Sequence, residues 1–190
     1  TYHAALKSLY DLKQEGETWD QVITNGQVKD IAEEIILQFL SANKIRSLPA
    51  VRDAIISGVT STLHSYLEFE LNEPQKACIG QRTLTELPFS LSLCNMSHLL
   101  ARCADKYGEM IFHGRIDRID INVLEKKQCY ELVLSDYKSG SAGDWDQLKL
   151  YSLALLCLDQ EDLPSDPKLL RSFFRLIKKG TIANKLDALP

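Results

Sequence analysis

The sequence predicts an α+β (mixed α/β) fold. It has a central mixed sheet with an antiparallel three-strand meander, flanked by helices, and a helical N-terminal part. Three observations predict this. Apolar residues recur at helical spacing through the first third of the chain. Three consecutive segments between residues 87 and 138 then alternate apolar and polar. A further helical segment and a last strand follow a Gly-containing break. Helices, then three strands in a row, then helix and strand is the order of a mixed-sheet core rather than of a regular βαβ array.

Each element has its local reason. After the breaker Thr24-Asn25-Gly26, residues Val28, Ile31, Ala32, Ile35, Ile36, Phe39 and Leu40 fall at helical spacing. A second helix is predicted from about Ser47 to Glu68, with Pro49 in its first turn and Ile55, Val59, Leu63 and Leu67 as its apolar stripe. Asn72-Glu73-Pro74 ends the helical pattern. Leu87, Phe89, Leu91 and Leu93 alternate with Ser90 and Ser92, and residues 109–123 alternate too. Within the second strand Ile116 and Ile119 differ in parity, which predicts a bend near Asp117. Residues 129–138 are more apolar, as befits a central strand. The break Ser139 to Gly143 leads to Asp144, a candidate N-cap with Gln147 three residues on, and a helix to about Leu158. The last predicted strand is Ser172–Ile177, closed by Lys178-Lys179-Gly180.

Composition narrows the function classes. The chain has 190 residues, 45% hydrophobic and 25% charged, which suits one ordinary globular domain over 1–190. The net charge of −4 excludes a polycation that coats nucleic acid by bulk electrostatics, so polyanion binding needs a local basic patch or a metal. The longest apolar run, Leu150 to Leu158, is too short for a membrane helix, so no membrane association is expected. Five cysteines, none at CxxC spacing, argue against a disulfide framework or a zinc finger. They fit the reduced thiols of a cytoplasmic protein. A start at Thr1 with no leader-like segment suggests a domain of a longer chain.

Four segments carry candidate chemistry. In Ser135-Asp136-Tyr137-Lys138-Ser139-Gly140, strand alternation projects Asp136 and Lys138 to one face, at the end of an apolar strand. In isolation such a pair is more commonly a surface salt bridge. Gly114-Arg115-Ile116-Asp117-Arg118-Ile119-Asp120 brings Asp117 beside Asp136 if the two strands pair, though charged strands are usually just solvated. His64 lies on the polar flank of the second helix, with Thr60 and Glu68 a turn either side. Most such histidines bind nothing. Gln147 and Tyr151, at i and i+4, share one helical face, where a tyrosine usually packs.

In this order, His64, Gly114-x-x-Asp117-Arg118-x-Asp120, Asp136-Tyr137-Lys138-Ser139-Gly140 and Gln147-x-x-x-Tyr151 resemble the RecB-type branch of the PD-(D/E)XK nuclease superfamily. The likeness is to AddB-like helicase–nucleases and stand-alone RecB-like exonucleases, over about residues 55 to 178. It implies a restriction-endonuclease-like core over 51–180, with 1–50 as a helical extension. It implies a metal-dependent DNA nuclease, an exonuclease domain of a repair or recombination protein, with Mg²⁺ or Mn²⁺ as cofactor. By the same resemblance His64, Asp117, Asp136 and the backbone carbonyl of Tyr137 hold the metal. Asp117, Asp136 and Lys138 are catalytic, and Gln147 and Tyr151 support the site or touch the DNA backbone. Glu86, before the strand Leu87-Pro88-Phe89, matches an acidic residue often found there. Some relatives carry an iron–sulfur cluster on C-terminal cysteines. The tail after Lys178 has none, so no cluster is expected. No Gly-x-x-x-x-Gly-Lys-Ser/Thr motor motif is present, so a helicase domain or subunit would be a partner, alongside DNA.

The residue types suit phosphodiester hydrolysis independently of the resemblance. Carboxylate, carbonyl and water oxygens make a hard site for a divalent cation, and an imidazole tilts it toward Mn²⁺. Lys138 would orient water or hold phosphate. Arg115, Arg118, Lys149, Arg171, Arg175, Lys178 and Lys179 would line a groove. Two other readings remain open on these residues: a catalytically inactive nuclease-like module that binds DNA or scaffolds, and an unrelated α+β interaction domain.

Overall fold

Helical spacing persists through the first 72 residues as four helices: α1 (Tyr2–Gln14), α2 (Trp19–Thr24), α3 (Gln27–Ala42) and α4 (Pro49–Asn72). The computed structural model describes residues 2–14, 19–24, 26–72, 80–92, 108–109, 111–124, 129–140, 145–157, 163, 167–179 and 181–188. They fall into two compact units interleaved along the chain: Thr1–Ile79 with Tyr137–Ala142 and Arg175–Ala183, and Gly80–Asp136 with Gly143–Phe174 and Asn184–Pro190.

In the helical unit, Ala5, Leu6, Leu9 and Tyr10 of α1 lie in one apolar cluster with Val28 and Ala32 of α3 and with Leu63, Tyr66 and Leu67 of α4. Tyr137 and Ile177 belong to the same cluster. Gly26 opens α3 in the left-handed region, φ 75°, which costs glycine little. Pro49 starts α4 as expected, since a first-turn residue needs no N–H partner. Of the predicted α4 stripe, Leu63 and Leu67 are buried, Val59 is half-buried and Ile55 is exposed, while Ile56, Tyr66 and Glu70 are buried as well. Periodicity defines a face only to within about a third of a turn, and the packing partners choose the rest.

The sheet unit begins with the predicted meander: β1 (Arg82–Ser92), β2 (Ile111–Leu124) and β3 (Cys129–Lys138). Both pairings are antiparallel. Helix α5 (Trp145–Cys157) follows, then β4 (Pro167–Leu176), a 3₁₀ turn Ile177–Lys179 and β5 (Thr181–Ala188). The five-stranded sheet runs β1-β2-β3-β4-β5, so β3 is central, as its apolar run predicts. Neighbours β3 and β4 are joined through α5, the kind of crossover that parallel strands require, which makes the sheet mixed. Pro88 is tolerated because β1 is an edge strand.

Several expectations are corrected. β1 starts at Arg82 rather than Leu87, because Arg82 and Thr83 pair with Ile121 and Asp120. β4 begins at Pro167 and a fifth strand follows it, neither of which alternation disclosed. The predicted N-cap Asp144 lies outside the described residues. The bend expected near Asp117 is absent: β2 pairs one-to-one on both sides of it, and the irregularity falls on Glu86 instead.

Gly114 of the Gly-Arg-x-Asp segment has a steric reason. It faces Phe89 across the ladder, and a Cβ there would stand 2.7 Å from the ring's Cζ. The ring is held by Phe112 at 5.0 Å and by Tyr151 of α5 at 5.7 Å, centroid to centroid. A side chain at 114 would force the Phe89 ring to shift.

Candidate active site

The ladder brings three carboxylates onto one rung. β1 pairs with β2 as Thr85↔Arg118 and Leu87↔Ile116, which sets Glu86 opposite Asp117. β2 pairs with β3 as Arg118↔Ser135, and one further step of that register sets Asp117 beside Asp136. Residues on one rung project to the same face. A Glu86 carboxylate oxygen and an Asp117 carboxylate oxygen lie within 4.8 Å of each other. Asp117 and Asp136 are 8% and 3% exposed. The rung sits where this face changes character: Ile119 and Ile121 on one side are buried, while Arg115 and His113 on the other are exposed. Lys138, two residues beyond Asp136 on β3, has its parity and is half-buried.

Like charges directly opposite one another destabilise a sheet. Glu86 also adopts φ 54°, a left-handed backbone that costs a non-glycine residue about 1–2 kcal/mol. Arg115 donates to Glu86 at 3.1 Å, but this arginine is 64% exposed and the pair offsets little. A strained backbone and neighbouring carboxylates coincide at one point of an otherwise regular ladder. Accordingly, Glu86→Gly should raise the melting temperature of metal-free protein by a few degrees, since glycine accepts positive φ. The same change should weaken Mn²⁺ binding, and calorimetry on the one sample reads both effects.

The remaining expected site residues fall as follows. Tyr137 is buried beneath Tyr66, and its carbonyl oxygen lies 3.2 Å from Nε2 of His3. His64 lines a groove between α3 and α4 with Lys29, Glu33, Asp53 and Thr60. Gln147 donates to the Tyr151 hydroxyl at 3.1 Å. Tyr151 rests on Phe89, which alternation places on the face opposite Glu86.

The expected groove arginines divide. Arg115 is exposed beside the rung. Arg118 is not a surface residue: it is wholly buried and grips Asp120 with Nε at 2.6 Å and a second nitrogen at 2.8 Å. Arg175 is equally buried, 3.3 Å from Glu70. Arg171 pairs with Glu131. A guanidinium inside a sheet needs a fixed carboxylate partner, and these chains have one.

A mixed α+β sheet with buried carboxylates on adjacent strands and a lysine two residues along offers groups that suit a divalent cation and a phosphodiester. A family model described as the PD-(D/E)XK nuclease superfamily matches residues 1–186, and the chain belongs to that family. Membership makes it a nuclease with a nucleic-acid substrate, and nucleases of this family depend on a divalent metal. No curated protein sequence matches the chain. No helix among the described residues is long and apolar enough to cross a membrane.

The residues present fit such a metal. The rung offers hard oxygen donors of the kind Mg²⁺ and Mn²⁺ prefer. The Oδ2 oxygen of Asp136 is buried and accepts no hydrogen bond among the described residues, although the residue has other interactions.

Proposed function

We propose that this chain is a Mg²⁺- or Mn²⁺-dependent deoxyribonuclease, an exonuclease domain of the RecB type serving DNA repair or recombination. The observation that carries the reading is the rung Glu86–Asp117–Asp136 with Lys138 beyond it, in a chain of this superfamily. His64, Asp117, Asp136 and the carbonyl of Tyr137 would hold the cation, as the resemblance implies, and Glu86 would add negative charge beside Asp117.

A cation bound there would lower the pKa of a water and offset charge on the scissile phosphate. The protein's own groups do the rest. Lys138 holds a phosphate oxygen or orients the attacking water through charge-assisted hydrogen bonds. Arg115, exposed at the open side of the rung, contacts the DNA backbone, which fixes position without reading sequence. Gln147 and Tyr151 brace the sheet from α5. A helicase domain or subunit supplies unwound strands, and the protein works in the cytoplasm.

The test is cleavage of end-labelled linear DNA, single- and double-stranded, alongside covalently closed circles. Each is incubated with Mg²⁺, Mn²⁺ or chelator. Linear DNA should be degraded only with metal, and circles spared. Cutting of circles would overturn the exonuclease reading. Metal-bound protein that binds DNA and leaves every substrate intact would make the chain an inactive nuclease-like module.

A further inference from the structure

The ladder between β1 and β2 outruns the one between β2 and β3. β2 pairs with β1 as far as Ser92↔Ile111, whereas its pairing with β3 begins at Arg118. Residues 88–92 and 111–115 therefore form a two-stranded ribbon that continues past the carboxylate rung, all of it within the sheet unit. Its two faces differ. On one, Phe89 is 4% exposed and packs against Phe112 and Tyr151 of α5. Gly114 leaves the space that the Phe89 ring occupies. The packed rings make this face a stiff backing.

The other face continues that of Asp117. Alternation puts Arg115, His113 and Ile111 on it from β2, with Pro88, Ser90 and Ser92 opposite them across the ladder. All but Ser92 are exposed. The polar groups of this row are a guanidinium, an imidazole and two hydroxyls, with no carboxylate, in a chain whose net charge is −4. Arg115 gives an N–H to Glu86 and has others to offer. His113 makes no hydrogen bond or ion pair among the described residues. Two strand residues span about 7 Å, so Arg115 and His113 stand about 7 Å and about 14 Å from Asp117 along β2. Successive phosphates of a nucleic-acid strand are spaced by a similar step.

We propose that the ribbon is a ledge for the substrate strand and that His113 is a substrate-binding residue: with Ser90 across the ladder, it hydrogen-bonds the phosphate one nucleotide beyond the one Arg115 holds. This rests on the reading of the rung as a DNA-cleaving centre with Arg115 on the backbone. Contacts to phosphate set register and carry no base preference. The site therefore takes a strand that extends at least two phosphates past the scissile one on the ribbon side.

The test is a scan of single methylphosphonate replacements, each removing the charge of one phosphate, through a short fluorescent single-stranded DNA. The full chain and its His113→Ala variant are compared by cleavage in Mn²⁺ and by fluorescence anisotropy in Ca²⁺. Circular dichroism checks the fold, which an exposed side chain does not hold up. In the parent, replacement at two adjacent phosphates should weaken binding by about tenfold each. His113→Ala should bind unmodified DNA about tenfold more weakly and be indifferent to replacement at the outer of the two phosphates alone. Its KM should rise with kcat near the parent's, as loss of uniform binding predicts. Arg115→Ala should be indifferent at the inner phosphate instead. Parental affinity in folded His113→Ala would overturn the proposal, and so would a parental profile without the adjacent pair. A loss of affinity that leaves the methylphosphonate profile unchanged would also overturn it, because a general structural effect is blind to one phosphate. If the parent cuts nothing in Mn²⁺ while the profile in Ca²⁺ still changes with His113, the ledge stands and it is the cleavage reading that fails.

Discussion

Asp136→Asn should abolish metal-dependent DNA cleavage while leaving the protein folded. The substitution keeps the shape of the side chain and removes the charge. Asp136 lies on the central strand, 3% exposed, one register step from Asp117. A neutral amide there is a poor ligand for a hard dication. Cleavage should fall by at least about 100-fold, and Mn²⁺ affinity should fall with it. The metal-free protein should melt no lower than the parent, because the change relieves repulsion between adjacent carboxylates. Lys138→Ala should behave differently. It should lower kcat by about 100- to 1000-fold with Mn²⁺ affinity nearly unchanged, as expected of a group that acts on phosphate or water. Calorimetry and single-turnover cleavage on both variants separate the two roles. Cleavage by Asp136→Asn at the parental rate would remove this rung from the chemistry.

The largest effect on stability should come from Asp120→Ala. Asp120 and Arg118 are both completely buried, and their contact is bidentate. Asp120 also accepts the Thr83 hydroxyl at 2.8 Å and the Gly80 amide at 3.2 Å. Truncation removes the carboxylate that this buried guanidinium grips and leaves two donors without this acceptor. Breaking a buried pair from one side typically costs about 3–5 kcal/mol, a large share of a domain's stability. Replacing both members by apolar residues of similar size, as in Arg118→Met with Asp120→Leu, should cost much less. Urea unfolding of the two proteins checks the contrast. It also decides what Arg118 is for: a DNA contact would alter DNA affinity and spare stability, and the structure predicts the reverse.

Elements differ in how readily the sequence discloses them, and for physical reasons. β2 and β3 are readable because strand alternation is local, and alternation is enough to put Asp136 and Lys138 on one face. The helical start of α4 at Pro49 is readable because proline's constraint acts within one turn. β5 is not, since its residues 181–188 show no strong alternation and join the sheet by edge pairing. The strained backbone of Glu86 is equally hidden. A glutamate carries no sign of positive φ, and only the ladder on either side forces it.

Residue spacing was therefore sufficient for the meander, for its central strand, and for the shared parity of Asp136 and Lys138. Those properties depend on separation along the chain, which a sequence states directly. Packing was needed to show which histidine meets the Tyr137 carbonyl, and that Arg118 and Arg175 are interior rather than surface cations. His3 and His64 are alike as helical histidines, 134 residues separate His3 from its carbonyl, and 105 separate Glu70 from Arg175. A charge is buried or exposed according to the partner the fold delivers to it, and over such separations that partner is fixed by packing, not by neighbours in the chain.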